Sequence, residues 1–414
     1  MTARRSKLKK ILLLGNDTRV MLAVSRSLGR SGHEVHVGWC PDSSPAVASR
    51  YVQTVHAIPE YSPDDEAWKT ALGKIMGGHD FDLILPCNDP AVIPLQVHRA
   101  DFETQARLYL LDDDVFQIVF DKIRTLELAK RLKIPLPISV VGSCRRTLLA
   151  ECDRCRYPLF VKPRSSVTEC DVINKRAVRR ADTPEALASI LQDKDIAEGV
   201  LVQESFEGIG VGVEVLACQG EVCAALQHKR LRESMAGGST YRETVPLDPL
   251  LLEATGKMMR ALNYTGVAMA EFRFDPRTKD WVFLEINARF WGSLPLAVAA
   301  GMDFPVYLVQ MLLEGQREFN NQYRYGIRCR NLVEDLRGVK NEGSSRLAKI
   351  PRVVRELALV ATGRDHLDMF ATDDWRPQLK EVSALFQSQF RKWRERVFGA
   401  SAPTREPREV LVRQ

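Results

Sequence analysis

Apolar and polar positions along this chain alternate between a period near two and a period near 3.6, and the changes of period mark its elements. "KILLLG", ending at Gly15, reads as a short buried strand. A helix-patterned stretch follows from about Thr18 to Arg30, and "EVHVGW" (34–39) returns to strand, which makes a βαβ opening. "FDLILP" (81–86) and "RLYLL" (107–111) predict two more strands. A helix is expected from about Asp114 to Lys133, stopped by the two prolines of "KIPLPIS". "YPLFVKP" (157–163) reads as a strand, and "ADTPEALASILQ" (181–192) as a helix with Thr183 as cap and Pro184 in its first turn. "GVLVQESF" (199–206), "VGVEVLAC" (211–218) and "EVCAALQHKR" (221–230) are strands. "GVAMAEFRFD" (266–275) and "WVFLEINARF" (281–290) flank the turn "DPRTKD" and predict an antiparallel hairpin. After Gly315 the pattern is helical, with Leu379, Val382, Leu385, Phe386, Phe390, Trp393 and Val397 on one stripe.

A chain of 414 residues exceeds a single core, so two or three domains are expected. With 45% hydrophobic and 27% charged residues the composition is that of a soluble globular protein. The early apolar run, Ile11–Leu14, is too short for a signal segment, and no run reaches the length of a membrane span. Nine cysteines, an odd number without a secretion signal, read as reduced thiols and favour the cytoplasm. The net charge of +6 is uneven: 20 basic and 13 acidic residues lie from Arg317 onward, so the basic excess belongs to the tail. A solvated helical surface accounts for it, and no nucleic-acid partner is expected; a homodimer contact through the tail is left open.

Chemistry concentrates in "FLEINARFWGS" (283–293). In an extended chain Glu285, Asn287 and Arg289 share one face, which puts two oxygen ligands for a hard cation beside a planar phosphate donor. If Glu271 lies opposite Glu285 across the hairpin, Glu271 and Arg273 join that face, while Phe272, Phe274, Leu284 and Ile286 form the other as core. Two adjacent carboxylates repel unless a cation lies between them, and Mg²⁺ takes one or two carboxylates with phosphates and water. The alternative is a surface hairpin with Arg273 and Arg289 neutralising the acids. Lys162 ends a strand, as a phosphate-binding lysine would; "QESF" (203–206) could offer a chain edge to a purine; and Gly237 and Gly238 could bring backbone N–H groups onto phosphates. Each has a plain structural alternative. A lone Gly15 without G-x-G-x-x-G disfavours a dinucleotide site, and Cys152-x-x-Cys155 lacks the partner pair of a zinc site.

In this order the pieces resemble the ATP-grasp superfamily of carboxylate–amine (or –thiol) ligases, over roughly residues 1–315. The resemblance implies an α/β (α+β) chain: a parallel α/β domain before the grasp (1–113), an ATP-grasp domain of two α+β subdomains (114–315, divided near 198) and a basic, mostly helical extension (316–414). It implies ATP and Mg²⁺ (or Mn²⁺) as cofactors, with Glu271, Glu285 and Asn287 on the metal. Lys122 and Lys162 would hold phosphates, Arg289 would act with Lys162 in catalysis, and Gln203, Glu204 and Phe206 would lie near the base. Glu207 or Glu214 would meet the ribose, and His228, Lys229, Arg230, Gly237 and Gly238 would contact phosphate or substrate. One departure is the loop "KPRSSVTECDV", which has no glycine where the family has a glycine-rich loop; Ser165, Ser166, Thr168 and Arg164 would replace it. The activity implied is activation of a small-molecule carboxylate as an acyl phosphate for attack by an amine or thiol. The competing reading is a non-catalytic ATP-binding module that docks a partner.

Overall fold

The computed structural model of the chain describes residues 8–104, 106–234, 238–335, 354–355, 358–360 and 362–398. Its strands form three sheets. The first contains β1 (Lys10–Leu14), β2 (Glu34–Gly38), β3 (Thr54–His56) and β4 (Leu83–Pro86) in the order β3-β2-β1-β4, all pairs parallel. Helix α1 (Thr18–Arg30) begins as patterned, because the Asp17 carboxylate accepts from the backbone N–H groups of Arg19 and Val20 at 3.0 and 3.1 Å. The expected strand 107–111 does not form. Leu108 makes a single parallel bridge to Ile84, and the chain then leaves the sheet edge so that the Tyr109 hydroxyl can accept from Val267 N–H at 3.1 Å.

Helix α2 (Ala67–Gly78) and helix α3 (Asp89–Val97) cover the first sheet. The single helix expected over 114–133 is two, α4 (Asp113–Val119) and α5 (Lys122–Arg131). Asp121 interrupts the run by capping the second, accepting from Ile123 and Arg124 N–H at 2.9 and 3.1 Å. That break makes Lys122 the first residue of a helix and aims it at the cleft described below.

The second sheet, β5 (Ser139–Gly142), β6 (Leu159–Pro163), β7 (Arg179–Ala181) and β8 (Val200–Glu204), is antiparallel in the order β5-β8-β6-β7. Because β8 pairs with β5 and β6, the chain passes to the third sheet after Glu204 and not near residue 198. The third sheet has seven strands: β9 (Ile209–Cys218), β10 (Glu221–Glu233), β11 (Ser239–Val245), β12 (Gly266–Phe274), β13 (Trp281–Asn287), β14 (Arg328–Arg330) and β15 (Asp365–Leu367), ordered β13-β12-β9-β10-β11-β14-β15. Residues beyond 316 therefore contribute two strands as well as the helix Arg376–Phe398.

One face of this sheet packs against α1 and the helices Leu294–Ala300 and Phe304–Glu314, the other against α4, α5 and Pro249–Ala261. The shared core with α1 fixes the first sheet's loops over the polar row of the hairpin. On the helix Arg376–Phe398 the apolar stripe faces solvent: Leu379 is 58% and Phe386 72% exposed, while the side chains of Leu385, Trp393 and Val397 lie outside the described residues. Among the described residues no single helix is long and apolar enough to cross a membrane.

Candidate functional site

The hairpin pairs Glu271 with Glu285, the register that alternation predicts. A bulge follows immediately, so that Phe272 pairs with Phe283 and Leu284 is the extra residue. Phe272, Phe283 and Ile286 are core, and Leu284 lines the cleft instead of joining them. Across the sheet one row reads Glu285, Glu271, Gly212, His228, Thr244. Glycine at 212 has a steric reason: a Cβ there would lie 2.4 Å from the His228 ring, which crosses the strand at that point.

The acidic pair sits among cations. Arg230 donates to Glu271 at 2.5 Å and the Asn287 amide donates to the other Glu271 oxygen at 3.1 Å. Lys122 Nζ is 3.9 Å from Glu285 and donates to Ser166 Oγ at 2.7 Å. Burial pushes the Glu285 carboxyl up, but Lys122, Lys162, Lys175 and Arg230 together outweigh it and hold the group below its ordinary range. Burial, with Lys122 adding to it, lowers the Lys162 amine despite Glu285 and Glu271. Arg273, by contrast, turns away to Glu233 at 2.8 Å.

Two connected chambers open on this row. One, of about 390 Å³, runs between Phe116, Phe120, Lys122 and Leu284; the other, of about 640 Å³, is bounded by Arg19, His228, Arg230 and Glu271. Asp89, Lys122, Ser166, Glu285, Asn287 and Arg289 belong to both walls. Arg289 is held in a two-pronged ion pair with Asp89 at 2.8 and 3.2 Å and donates to Phe290 C=O at 3.0 Å, so much of its fork is engaged from the first sheet's side.

The loop after Lys162 folds onto α5 without glycine. Arg164 donates to Asp121 at 2.5 Å, Ser165 donates to Phe120 C=O at 3.1 Å, and Val167 and Val172 are buried in the core beside the first sheet. Hydroxyls and buried apolar anchors thus take the place of a backbone cradle.

Several expected contacts lie elsewhere. Gln203 is 2% exposed with its amide on Ser139 Oγ at 3.0 Å, and Glu204 accepts from Arg156 N–H at 2.9 Å. Both side chains are thus committed inside the second sheet and its entry loop, while Phe206, half-buried, sits in the link to β9. Glu207 is exposed and lies 3.8 Å from Arg277 on the hairpin turn. Glu214 is fully buried, accepts from Ser293 Oγ at 2.7 Å and lies 3.0 Å from His228 Nδ1, so those two side chains close it off from the chambers. Lys229, one residue out of phase with the row, pairs with Glu243 at 3.4 Å. Gly238 borders the larger chamber but spends its N–H on Ser234 Oγ at 3.2 Å; Gly237 lies outside the described residues. Sequence reasoning missed Arg19 and Lys175, both of which line the larger chamber. The first could have been found from its place just after a parallel strand, where such sheets bind ligands.

Among the described residues no cluster of three or more His, Cys, Asp or Glu has metal-holding geometry. The donor set present, two facing carboxylates and an amide oxygen, suits an ion that completes its shell with phosphates and water, as Mg²⁺ does.

Residues 197–334 match a family model described as "ATP-grasp in the biosynthetic pathway with Ter operon". No curated protein matches the chain. Among solved structures it is similar to biotin carboxylase from Campylobacter jejuni (TM-score 0.62, 14% identity, 78% of this chain and 74% of that one). It is also similar to L-amino acid ligase from Bacillus licheniformis (0.59, 16%, 78% and 79%) and to N5-carboxyaminoimidazole synthetase from Staphylococcus aureus complexed with ADP (0.60, 14%, 78% and 82%). At these identities the likeness is one of fold.

Proposed function

We propose that this chain, which matches an ATP-grasp family model over residues 197–334 and shares its fold with ATP-grasp ligases, is an ATP- and Mg²⁺-dependent ligase that activates a small-molecule carboxylate for attack by an amine or thiol. The observation that carries this reading is the facing pair Glu271 and Glu285, with Asn287 beside it, ringed by Lys122, Lys162 and Arg230. A surface hairpin has no reason to collect half-buried lysines around paired acids. Desolvating that many charges is costly unless a polyanion with its cation completes the set.

Glu271, Glu285 and Asn287 would hold Mg²⁺, which would supply charge neutralisation for the phosphate being transferred. Lys122 and Lys162 would cradle the phosphates, whose negative charge would offset the burial that lowers the Lys162 amine. A substrate carboxylate oxygen attacks the γ-phosphorus, the bond to ADP breaks, and an acyl phosphate forms. The nucleophile's nitrogen or sulfur then attacks the acyl carbon, inorganic phosphate leaves with the bonding pair, and the nucleophile's proton is lost to solvent. Arg289, fixed by Asp89, would direct its remaining donors at the transferring group. The chain's contribution is positioning and charge complementarity.

The test is a thermal-shift titration with ATP, with and without Mg²⁺, on the wild type and Glu285→Ala, followed by an ADP-release assay with carboxylic acids and amines. Ligand at a hundred times its dissociation constant stabilises by about 2.7 kcal/mol. A magnesium-dependent shift that the variant loses, with ADP release, is the expected result; full activity in Glu285→Ala would sink the assignment. A shift with no ADP release for any acid would favour the non-catalytic module, the reading that the glycine-free, anchored loop supports.

A further inference from the structure

Beyond the larger chamber lies a third cavity, of about 670 Å³, at the carboxyl ends of β1 and β2. Parallel α/β sheets bind ligands at that edge. Asn16, Pro90, Val172 and Ile173 line both this cavity and the larger chamber, so the two are neighbours sharing one wall. The cavity's own walls are mainly apolar and aromatic, with Trp39, Ala57, Ile58 and Tyr61, and also carry His56 and the exposed Asp42 and Glu60, so an acid's carboxylate would face away from them towards the chamber. Trp39 has φ of +53°, in the left-handed region that a bulky residue rarely occupies, and its indole donates to Pro59 C=O at 2.9 Å. Such a conformation persists where surrounding structure enforces it, and such residues cluster at ligand sites.

On the chamber side stands Arg19, in the first turn of α1. Arg230, Arg289 and Arg176 border the same chamber and pair with Glu271, Asp89 and Glu198. The Arg19 guanidinium has no carboxylate within ion-pair distance among the described residues. Room for it is built in: a Cβ on Gly292 would come 3.0 Å from Arg19 Nη2. A guanidinium kept unpaired beside an apolar cavity is complementary to a molecule with a carboxylate at one end and an apolar body at the other.

We propose that Arg19 binds the carboxylate of the acid to be activated, and that the cavity behind Val172 and Ile173 takes that acid's apolar body, an aromatic ring or branched chain. The assignment rests on the ligase reading for the acid's fate and on the cavity and Arg19 alone for its shape. A one- or two-carbon acid would leave the cavity empty and gain nothing from its walls. Val172 and Ile173 belong to the loop after Lys162, so that loop serves as a wall of the acid site as well as a cover for phosphate.

The experiment is calorimetric titration of the full chain with 3-phenylpropanoate and with acetate, with a non-hydrolysable ATP analogue and Mg²⁺ titrated separately. The variants are Arg19→Leu, Ala57→Trp and Ile173→Asp. Ala57 and Ile173 are exposed, so the fold tolerates both changes, and unfolding midpoints verify it. The wild type should bind 3-phenylpropanoate at least about tenfold more tightly than acetate. Ala57→Trp and Ile173→Asp should remove that preference. Arg19→Leu should weaken both acids about tenfold or more, with nucleotide affinity kept. Equal affinity for the two acids, no binding of 3-phenylpropanoate, or variants that leave the preference intact would overturn the proposal. If the wild type binds 3-phenylpropanoate as described but binds no nucleotide, the ligase reading falls and the cavity stands. If nucleotide binds and the acids are not discriminated, the cavity assignment falls alone.

Discussion

At one edge of the seven-stranded sheet, β12 and β13 set two carboxylates face to face among lysines at the wall of an open chamber. At the other edge, β11, β14 and β15 bring Arg242 and Arg330 against Asp335, Asp365 and Asp368, all within 4% of complete burial. Arg242 forms a two-pronged pair with Asp368, donating from Nη1 at 3.0 Å and from Nη2. Arg330 donates to Asp335 at 3.2 Å and to Asp365, with its guanidinium 3.9 Å from the centre of the Tyr241 ring. Both edges gather acids and cations, but the pairing differs. Every acid of the sealed cluster meets an arginine fork inside the protein, whereas the open cluster places acid against acid and cation beside cation. A buried ionic cluster that satisfies itself serves the fold; one left unbalanced towards a chamber implies a charged ligand.

Cutting the sealed cluster should have the largest effect. Arg242→Met leaves Asp368 buried and unpaired and should cost about 3–5 kcal/mol of stability, read as a lowered urea midpoint. The double change Arg242→Met with Asp368→Leu should recover most of that loss. A single variant as stable as the wild type would erase the distinction between the two clusters.

In the open cluster the pattern should invert. Glu285→Gln should lower ATP turnover about a hundred- to a thousandfold, as loss of one preorganised charged group does. Its unfolding midpoint should fall only slightly at neutral pH, because the surrounding cations lose one partner while Glu271 remains among them. Steady-state ADP release and thermal unfolding on the same preparation test both halves. A loss of several kcal/mol in stability would make Glu285 a structural partner of Lys122 and Lys162 instead.

The pH dependence of stability sharpens the same point. The folded chain holds the Glu285 carboxyl below its ordinary value, through lysines and Arg230 that overcome burial, so between the two values the unfolded chain binds the extra proton. The group therefore stabilises the fold above the unfolded value near 4.3–4.5, and that contribution fades as pH falls through the folded value. The wild type minus Glu285→Gln difference in unfolding free energy should shift against the wild type between about pH 6 and pH 3. A flat difference would mean that the surrounding cations do not act on Glu285.

Much of the open cluster was legible in the sequence because strand alternation and hairpin pairing are local. The period of two in 281–290 placed Glu285 and Asn287 on one face, and the antiparallel pairing set Glu271 opposite Glu285. What escaped depends on longer range. The bulge that frees Leu284 is a one-residue slip that no alternation shows. Glu214 is a ribose candidate by resemblance alone, and its burial comes from His228 and Ser293, neighbours contributed by other segments. The split of the helix at Asp121 was readable as a cap and was passed over for the apolar period around it. Arg19 carried no motif, and its meaning comes from Gly292, far along the chain. The sealed cluster was illegible for the same reason: Arg330 and Asp365 lie on strands of three residues, too short to show a period, and their partners Arg242, Asp335 and Asp368 come from other segments.

The smallest effect separates buried from exposed pairs on a single helix. On α1, Arg26 donates to Asp374 at 2.9 Å with both side chains at most 6% exposed, while Arg30 forms a two-pronged pair with Asp373 at 2.8 and 2.7 Å with both about 40% exposed. The two arginines dock neighbouring aspartates just ahead of the helix Arg376–Phe398. Geometry alone would rank Arg30 the stronger, for its fork is fully used. Solvent reverses that ranking, because an exposed pair gives up little water and is screened by salt. Arg30→Ala should cost no more than about 1 kcal/mol, and the cost should shrink in 1 M salt. Arg26→Ala should cost more and keep its cost in salt, since Asp374 would remain buried against Ser49 and the Arg50 backbone without its cation. Equal, salt-sensitive losses for the two would show that both junctions are wetted by solvent, and burial would then cease to separate structural ion pairs from the rest.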